Sequence, residues 1–521
     1  MTKSRLTIII GAGHNGLACA AYLAKAGRQV MVLEAGQQIG GLAVTREFTP
    51  EYKVSSGAHL LSMLDRQLCK DLGLEANGLE LAAQDLGSVA LATDGKHLQM
   101  NGQNIVGDSL SADDQASYQS FQARMMRFAD LLRRLNREPP PRLALEDKKQ
   151  RRKLLKLAWN MRRLGKKDMR EFLRIAGINI FDILEERFDD PLLKGALSLD
   201  GVLGTMLGPR SNNSVFTLLQ KISGQLDSSH QGYALPRGGM GSVSSALAAT
   251  AQKYGATIMT SAPVSKIVME DDRVGGVDLA AGEHIEAPVV ISNADPRTTF
   301  FDLLGASNLE AGFARQINNV RMKGSSAKLH LALNGLPEFT GLDKELLGSR
   351  LLIAPDMEFV ELAFNHAKYG EFSEQPVMEI SIPTIHDDSL ASEGKHVLSA
   401  VVQYAPYDLK GGWESGRRRF EDRIMDVLSR YAPGIRSQLV DSELLTPEDI
   451  ERNFRVTGGH WHHGELALDQ ALMLRPVPGA AQYASPVPGL YLCGAGAHPG
   501  GGVMGHAGRN AARVVLKQEK D

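Results

Sequence analysis

Residues 6–16 read Leu-Thr-Ile-Ile-Ile-Gly-Ala-Gly-His-Asn-Gly, and this stretch decides the fold. A short apolar, β-branched run ending in glycine is how a parallel strand buried on both faces reads. Residues 14–26 then turn helical, with Leu17, Ala20, Ala21 and Ala24 on one face, and Gly27 stops the helix. Gln29–Leu33 follows as a second apolar strand, which completes one β-α-β unit in about 30 residues. Within it Gly11 permits the tight turn, Gly13 lets the backbone approach a pyrophosphate, and Gly16 lets the helix pack closely on the strand. The helix N-terminus supplies free N–H groups and a partial positive charge for phosphates. Glu34 lies 18 residues after Gly16, where a carboxylate can accept hydrogen bonds from ribose hydroxyls.

Two further glycine-rich segments point to FAD rather than NAD. Gly40-Gly41 follows Glu34 by six residues, so a second loop can approach the same cofactor. At the far end, Leu490–Cys493 reads as a strand and Ala507–Val515 as a helix, joined by Gly494-Ala-Gly-Ala-His-Pro-Gly-Gly-Gly-Val503. That is another helix N-terminus, and a buried flavin needs donors from both ends of the chain. Gly238-Gly-Met-Gly241 is not preceded by an apolar strand and reads as a helix entry, so no separate nicotinamide domain is expected.

A chain of 521 residues exceeds one ordinary core, and two or three domains are expected. A formal charge of -2 excludes a generally basic nucleic-acid binder. The charge is uneven: residues 148–174 hold twelve Lys or Arg against two acids, a local +10 that leaves -12 elsewhere. Cys19, Cys69 and Cys493 are too far apart for a dithiol centre or a disulfide scaffold. No run of about 18 apolar residues occurs, and the strand pattern begins at Leu6, so a cytoplasmic protein without a leader is expected.

Ser111-x-x-Asp114 resembles a helix start, and Tyr118, Phe121, Met125, Phe128, Leu132 and Leu135 recur at helical steps until Pro139–Pro141. More helix is expected through the basic stretch to Leu173 and Phe181. Strand patterns return at Thr257–Met259, Ser265–Met269 and Val289–Ser292, with a meander around Val274-Gly-Gly-Val277. Lys328–Leu333, Val377–Ile382 and Val397–Val402 predict a second, mostly antiparallel sheet, and Arg418–Tyr431 a helix.

The glycine motifs, Glu34, the stretch Val289-Val-Ile-Ser-Asn-Ala-Asp-Pro296 and the tail Gly489–Val503 together resemble the phytoene desaturase-related flavoproteins. Within them, the resemblance runs to the branch of the pyridine nucleotide-disulfide oxidoreductase domain-containing proteins, over nearly the whole chain. It implies an α/β protein: a discontinuous Rossmann-like FAD-binding domain with a mixed antiparallel-sheet-plus-helices substrate domain, as in the amine oxidases. The corresponding segments are 1–70, 225–300 and 450–521 for FAD, and 71–224 and 301–449 for substrate. It also implies that Gly11, Gly13, Gly16 and Glu34 hold the ADP half, with Gly40 and Gly41 near the phosphates. Val264 would reach the adenine through its backbone, and Gly494, Gly501, Gly502, Val503 and Met504 would lie along the ribityl chain and flavin ring. Many such proteins carry arginine after the glycine pair; Leu42 stands here instead, with Arg46 as a candidate replacement.

The activity expected is hydride transfer from a carbon centre of a hydrophobic substrate to the flavin, with oxygen, a quinone or another carrier as transient electron acceptor. An amine oxidase of the same fold and a flavin-stabilised regulatory protein with little turnover are the alternatives. The histidines available to catalysis are His59, His460, His463 and His498. His460 and His462 would share one face of a strand, with Glu465 near, which reads as a metal pair or as the polar rim of the flavin pocket; no second cluster completes a site, and no metal is expected. Leu154, Leu155, Trp159, Met161 and Leu164 are interleaved with the charges of 148–174, which makes that stretch either a peripheral membrane contact or a solvated helix face.

Overall fold

A computed structural model describes residues 6–142, 147–228 and 232–518. Strand β1 (Thr7–Ile10), helix α1 (His14–Lys25) and strand β2 (Val30–Leu33) form the expected opening unit. Gly27 carries the left-handed conformation (φ 84°) that lets the chain leave α1. β1 lies in the middle of a five-stranded parallel sheet, in the order Thr257–Met259, β2, β1, Val289–Ser292, Leu490–Leu492. Registers run Thr7↔Val30 to Ile10↔Leu33 on one side and Thr7↔Val289 to Ile10↔Ser292 on the other. Their near-continuous apolar side chains are buried because helices cover the sheet: α1 packs against the helices Gly241–Lys253 and His506–Gln518. Gly238-Gly-Met-Gly241 leads into a helix, as expected, but a buried strand, Tyr233–Pro236, does run into it; that strand pairs antiparallel with Leu81–Leu86, outside the parallel sheet. The antiparallel strands Val264–Glu270, Arg273–Leu279 and His284–Glu286 form the meander. Its Gly275-Gly276 pair lies within a strand, where a Cβ on Gly276 would meet the Ile285 carbonyl at 2.3 Å; the turn itself is at Asp271-Asp272.

The second sheet has eight strands, in the order Leu439–Leu445, Ser326–Leu333, His396–Gln403, Val377–Ser381, Arg350–Ile353, Ser88–Ala90, Leu98–Asn101, Asn104–Val106. Pairing is antiparallel except between Arg350–Ile353 and Ser88–Ala90. The strands over residues 81–106 were not anticipated in a segment expected to be helical. They are three to six residues long and partly polar, too short for a clear alternation.

One face of this sheet packs under the helix Trp413–Tyr431, through Trp413, Phe420, Ile424 and Leu428. The other carries the helical layer: Ala112–Asn136, Gly165–Ile175, Ile180–Glu185, Pro191–Val202 and Ser214–Gln225. Ser111 does cap the first of these, accepting from the Asp114 N–H at 3.0 Å. Helix Lys148–Arg162 differs from the rest, with none of its described residues fully buried. Among the described residues no helix is long and apolar enough to cross a membrane. The first core takes in Leu72, Leu74 and Leu79, and later Leu303 to Ile317, beyond the segments assigned to it from sequence.

Beside the parallel sheet, α1 and the C-terminal helix His506–Gln518 cross tightly. A Cβ on Gly508 would lie 2.0 Å from the Asn15 carbonyl oxygen and 2.9 Å from the Cys19 nitrogen. Gly508→Val should therefore push the helices apart and cost about 1–3 kcal/mol. An unchanged urea midpoint would contradict this packing.

Candidate functional site

The carboxyl ends of the five parallel strands open into a cavity of about 400 Å³. Gly11, Gly13, Glu34, Gly40, Gly41 and Val264 line one end of the chain path, and Gly501, Gly502 and Val503 line it from the C-terminal loop. Gly16 and Gly494 do not line it. A Cβ on Gly16 would meet the Gly11 carbonyl at 2.2 Å, and one on Gly494 the Asn293 carbonyl at 2.5 Å, so both act through packing. Met504 is buried beneath the loop, its carbonyl accepting from Asp65 N–H.

These residues fit a dinucleotide. α1 begins at Gly13 with no side-chain cap and no acid in its first turn, so its N–H groups and dipole face the cavity uncompensated. The Glu34 carboxylate is fixed by Ala12 N–H at 2.7 Å and Gly36 N–H at 2.8 Å, and keeps lone pairs for a ribose. Gly40 stands at φ 119°, so the second loop turns back with no side chain in the way. Asn15 also lines the cavity, and its buried amide oxygen has no hydrogen-bond partner among the described residues. Arg46 does not line it: its guanidinium is taken by Glu443 and Ser56, which removes it as a phosphate ligand.

The four candidate histidines separate. His59 and His463 line the cavity; His460 and His498 do not. His498 is fully buried with Nε2 3.1 Å from the Leu135 carbonyl oxygen, and His460 faces Glu465 at 3.6 Å, so neither meets a ligand in the cavity. Segment 460–463 is a turn, not a strand, with His463 at φ 54°. His462 therefore reaches the cavity together with Trp461 and His463, rather than sharing a face with His460. The turn is held by buried Arg475, whose guanidinium donates to the carbonyls of His462, Gly464, Glu465, Gln470 and Ala495. A metal-like cluster lies elsewhere, at Asp65, Asp227 and His506. Arg509 and Arg137 already occupy its carboxylates, which makes it an ion-pair network.

Sequence reading missed the most distinctive element of the site, an alternating row of buried groups. Lys328 Nζ lies 2.6 Å from His59 Nδ1, and His59 Nε2 lies 3.1 Å from Glu379. Glu379 pairs with Arg350, which also pairs with Asp200, and Asp200 accepts from Lys221 Nζ at 2.6 Å. The Arg350 guanidinium sits 4.9 Å from the Tyr233 ring centre. Burial works against the Glu379 charge, but Arg350 and His59 hold it ionised, well below the usual carboxylate range. An ionised Glu379 can only accept, so His59 carries its proton on Nε2 and accepts from Lys328 at Nδ1. Burial pulls His59 down to about 4 and Lys328 well below its ordinary value. His59, Asp200, Lys221, Tyr233 and Glu379 all line the cavity.

The chain matches the family described as flavin containing amine oxidoreductase over residues 16–516. It is 36% identical to pyridine nucleotide-disulfide oxidoreductase domain-containing protein 2 of Mus musculus, over 99% of this chain and 94% of the relative. It is 26% identical to the lycopene-forming phytoene desaturase of Pantoea ananas, over 98% of this chain and 99% of that one. Among solved structures, putrescine oxidase with bound putrescine superposes with a TM-score of 0.62 at 17% identity, covering 99% of each chain, and shares the fold.

The depressed histidines make stability depend on pH. His59 and His498, both pulled down to about 4 by burial, stay neutral in the fold while their unfolded counterparts titrate near 6.5. Their contribution is complete above 6.5 and is lost as pH falls from there toward 4, because the unfolded chain binds protons first. Between pH 7.5 and 5 each should cost about 2 kcal/mol of stability, read as a falling urea midpoint. His498→Gln should flatten that fall; a midpoint indifferent to pH over this range would refute the assignment.

Proposed function

This chain belongs to the flavin-containing amine oxidoreductase family, and on that premise we propose that it binds FAD and dehydrogenates a hydrophobic substrate at a carbon centre. Bound in the cavity, the flavin would accept a hydride at its N5. Glu34 would hold the ribose, the α1 N-terminus with Gly13, Gly40 and Gly41 the pyrophosphate, and the Gly501–Val503 loop the isoalloxazine end.

The observation that carries the substrate class is the neutralisation of the buried charges. An amine substrate arrives as a cation and needs a free carboxylate or an aromatic cage. Asp200 and Glu379 are already committed to Arg350, Lys221 and His59, so the wall offers no net negative charge. Leu60, Met63, Leu203, Val401 and Leu466 supply apolar surface in the same cavity. Tyr233 is a polar group of the cavity that can orient a substrate oxygen, while His59, whose two ring nitrogens are engaged by Lys328 and Glu379, can relay a proton only along that row. Tyr233 and Trp461 do bring aromatic rings to the cavity, so an amine remains the competing substrate in the test.

A hydrophobic substrate also needs a route. The helix Lys148–Arg162 carries no acid, and its Leu155 and Trp159 are each 62% exposed one turn apart, among Arg151, Arg152 and Lys156. Leu173, on the next helix, is equally exposed. This surface suits a bilayer with anionic headgroups, each cation adding about 1 kcal/mol. The electron acceptor (oxygen, a quinone or another carrier) is proposed to meet the reduced enzyme transiently.

Three measurements test this reading. Cofactor released from purified protein should have the mass of FAD, and Glu34→Ala should weaken its binding by about 1–3 kcal/mol. Under anaerobic conditions an unsaturated cyclic hydrocarbon should bleach the flavin faster than primary amines do. Bleaching by amines alone would favour an amine oxidase, and bleaching by neither a regulatory protein. The protein should sediment with vesicles containing acidic lipid at low salt and be released at high salt, with binding at least halved in Arg151→Gln/Arg152→Gln/Lys153→Gln; no sedimentation with any lipid would reject the membrane contact.

A further inference from the structure

A pyrophosphate carries two negative charges, and the half-charge of one helix N-terminus does not balance them. The cradle contributes backbone only: neither residues 11–16 nor residues 40–43 include a lysine or arginine. Among the described residues, the lysines and arginines lining the cavity are Lys221 and Arg455. Lys221 is bound to Asp200. Arg455 has no ion pair or side-chain hydrogen bond with any described residue, and it is exposed to the cavity.

Its backbone adds an independent observation. Arg455 terminates the helix Pro447–Phe454 in the left-handed region (φ 55°, ψ 42°), its N–H bonded to the Glu451 carbonyl at 2.8 Å. Glycine is the usual residue at such a helix end, and an arginine there is strained. Among the described residues no side-chain hydrogen bond or ion pair of Arg455 offsets the strain, which is the pattern expected where a side chain serves a ligand. The neighbours fix the level in the cavity. Phe454 and Val456 pack with Leu42, the residue directly after the Gly40-Gly41 loop.

We propose that Arg455 is the phosphate-binding cation of this site, its guanidinium closing over the dinucleotide pyrophosphate opposite the N-terminus of α1. The proposal rests on the FAD reading above. A planar guanidinium matches two phosphate oxygens at once, which a helix dipole does not. It also gives the cavity mouth a positive charge that the glycine loops lack.

Arg455→Gly separates the two roles of the residue. Glycine accepts the left-handed conformation, so the stripped apoprotein should melt at or above the wild-type temperature. FAD affinity, followed by quenching of flavin fluorescence during titration, should fall on the order of tenfold to a hundredfold. Salt should weaken FAD binding by wild type more steeply than by the variant. Arg455→Asn, which also tolerates this backbone, should behave like the glycine variant. Leu42→Arg added to Arg455→Gly should recover part of the affinity. FAD binding by either neutral variant with wild-type affinity and salt dependence would overturn the proposal. Failure of the wild-type protein itself to bind FAD would instead sink the FAD reading.

Discussion

Everything in the cavity depends on β1 pairing in parallel with Val289–Ser292. The two strands are separated by more than half the chain, yet their registered ends set Gly11 and Asn293 side by side, with the Asn293 N–H on the Ile10 carbonyl at 2.8 Å. The next strand continues the alignment, Cys493 N–H bonding to the Ser292 carbonyl. Three chain segments therefore end at the same edge of one sheet, and the loops that follow must share one space. Gly11 with Gly13–Asn15, Asn293-Ala294, and Ala495 with Gly501–Val503 become walls of a single cavity because a sheet leaves them no other place.

That arrangement explains which parts were legible in the sequence. The β1–α1–β2 unit and the C-terminal strand, loop and helix are readable because local constraints act within 30 residues or fewer: burial on both faces, a tight turn, a helix start. The central strands of the second sheet are readable for the same reason. Lys328 and Glu379 are not, and His59 stood out only as a lone histidine, because each is ordinary in its own neighbourhood and the row exists only through contacts about 270 and 320 residues apart. The histidines at 460–463 were misread in detail because alternation was assumed where the chain turns. A left-handed residue at His463 breaks the two-residue period and exchanges which ring meets the cavity.

Arg475 shows how a loop without regular structure can still be rigid. Five carbonyl groups that neither helix nor strand would satisfy converge on one buried guanidinium. Burial lowers its pKa to about 10, which still leaves it fully charged near neutral pH. The charge is met by carbonyl dipoles and by nearby Glu465. Trp461, His462 and His463 thus owe their positions to a residue that does not itself line the cavity.

The row from Lys328 to Lys221 joins elements from several layers of the molecule. His59 follows the strand Tyr52–Ser55, Asp200 and Lys221 come from two helices, and Lys328, Arg350 and Glu379 from three strands of the large sheet. Each member pairs with its neighbours in the row, and losing one strands a charge in a medium that does not tolerate it. Drift at these six positions is consequently not independent. A descendant of this chain that acquires a new residue at one rung must acquire a compensating one at the next, so the interior of the site evolves by paired steps while its apolar wall can change one side chain at a time.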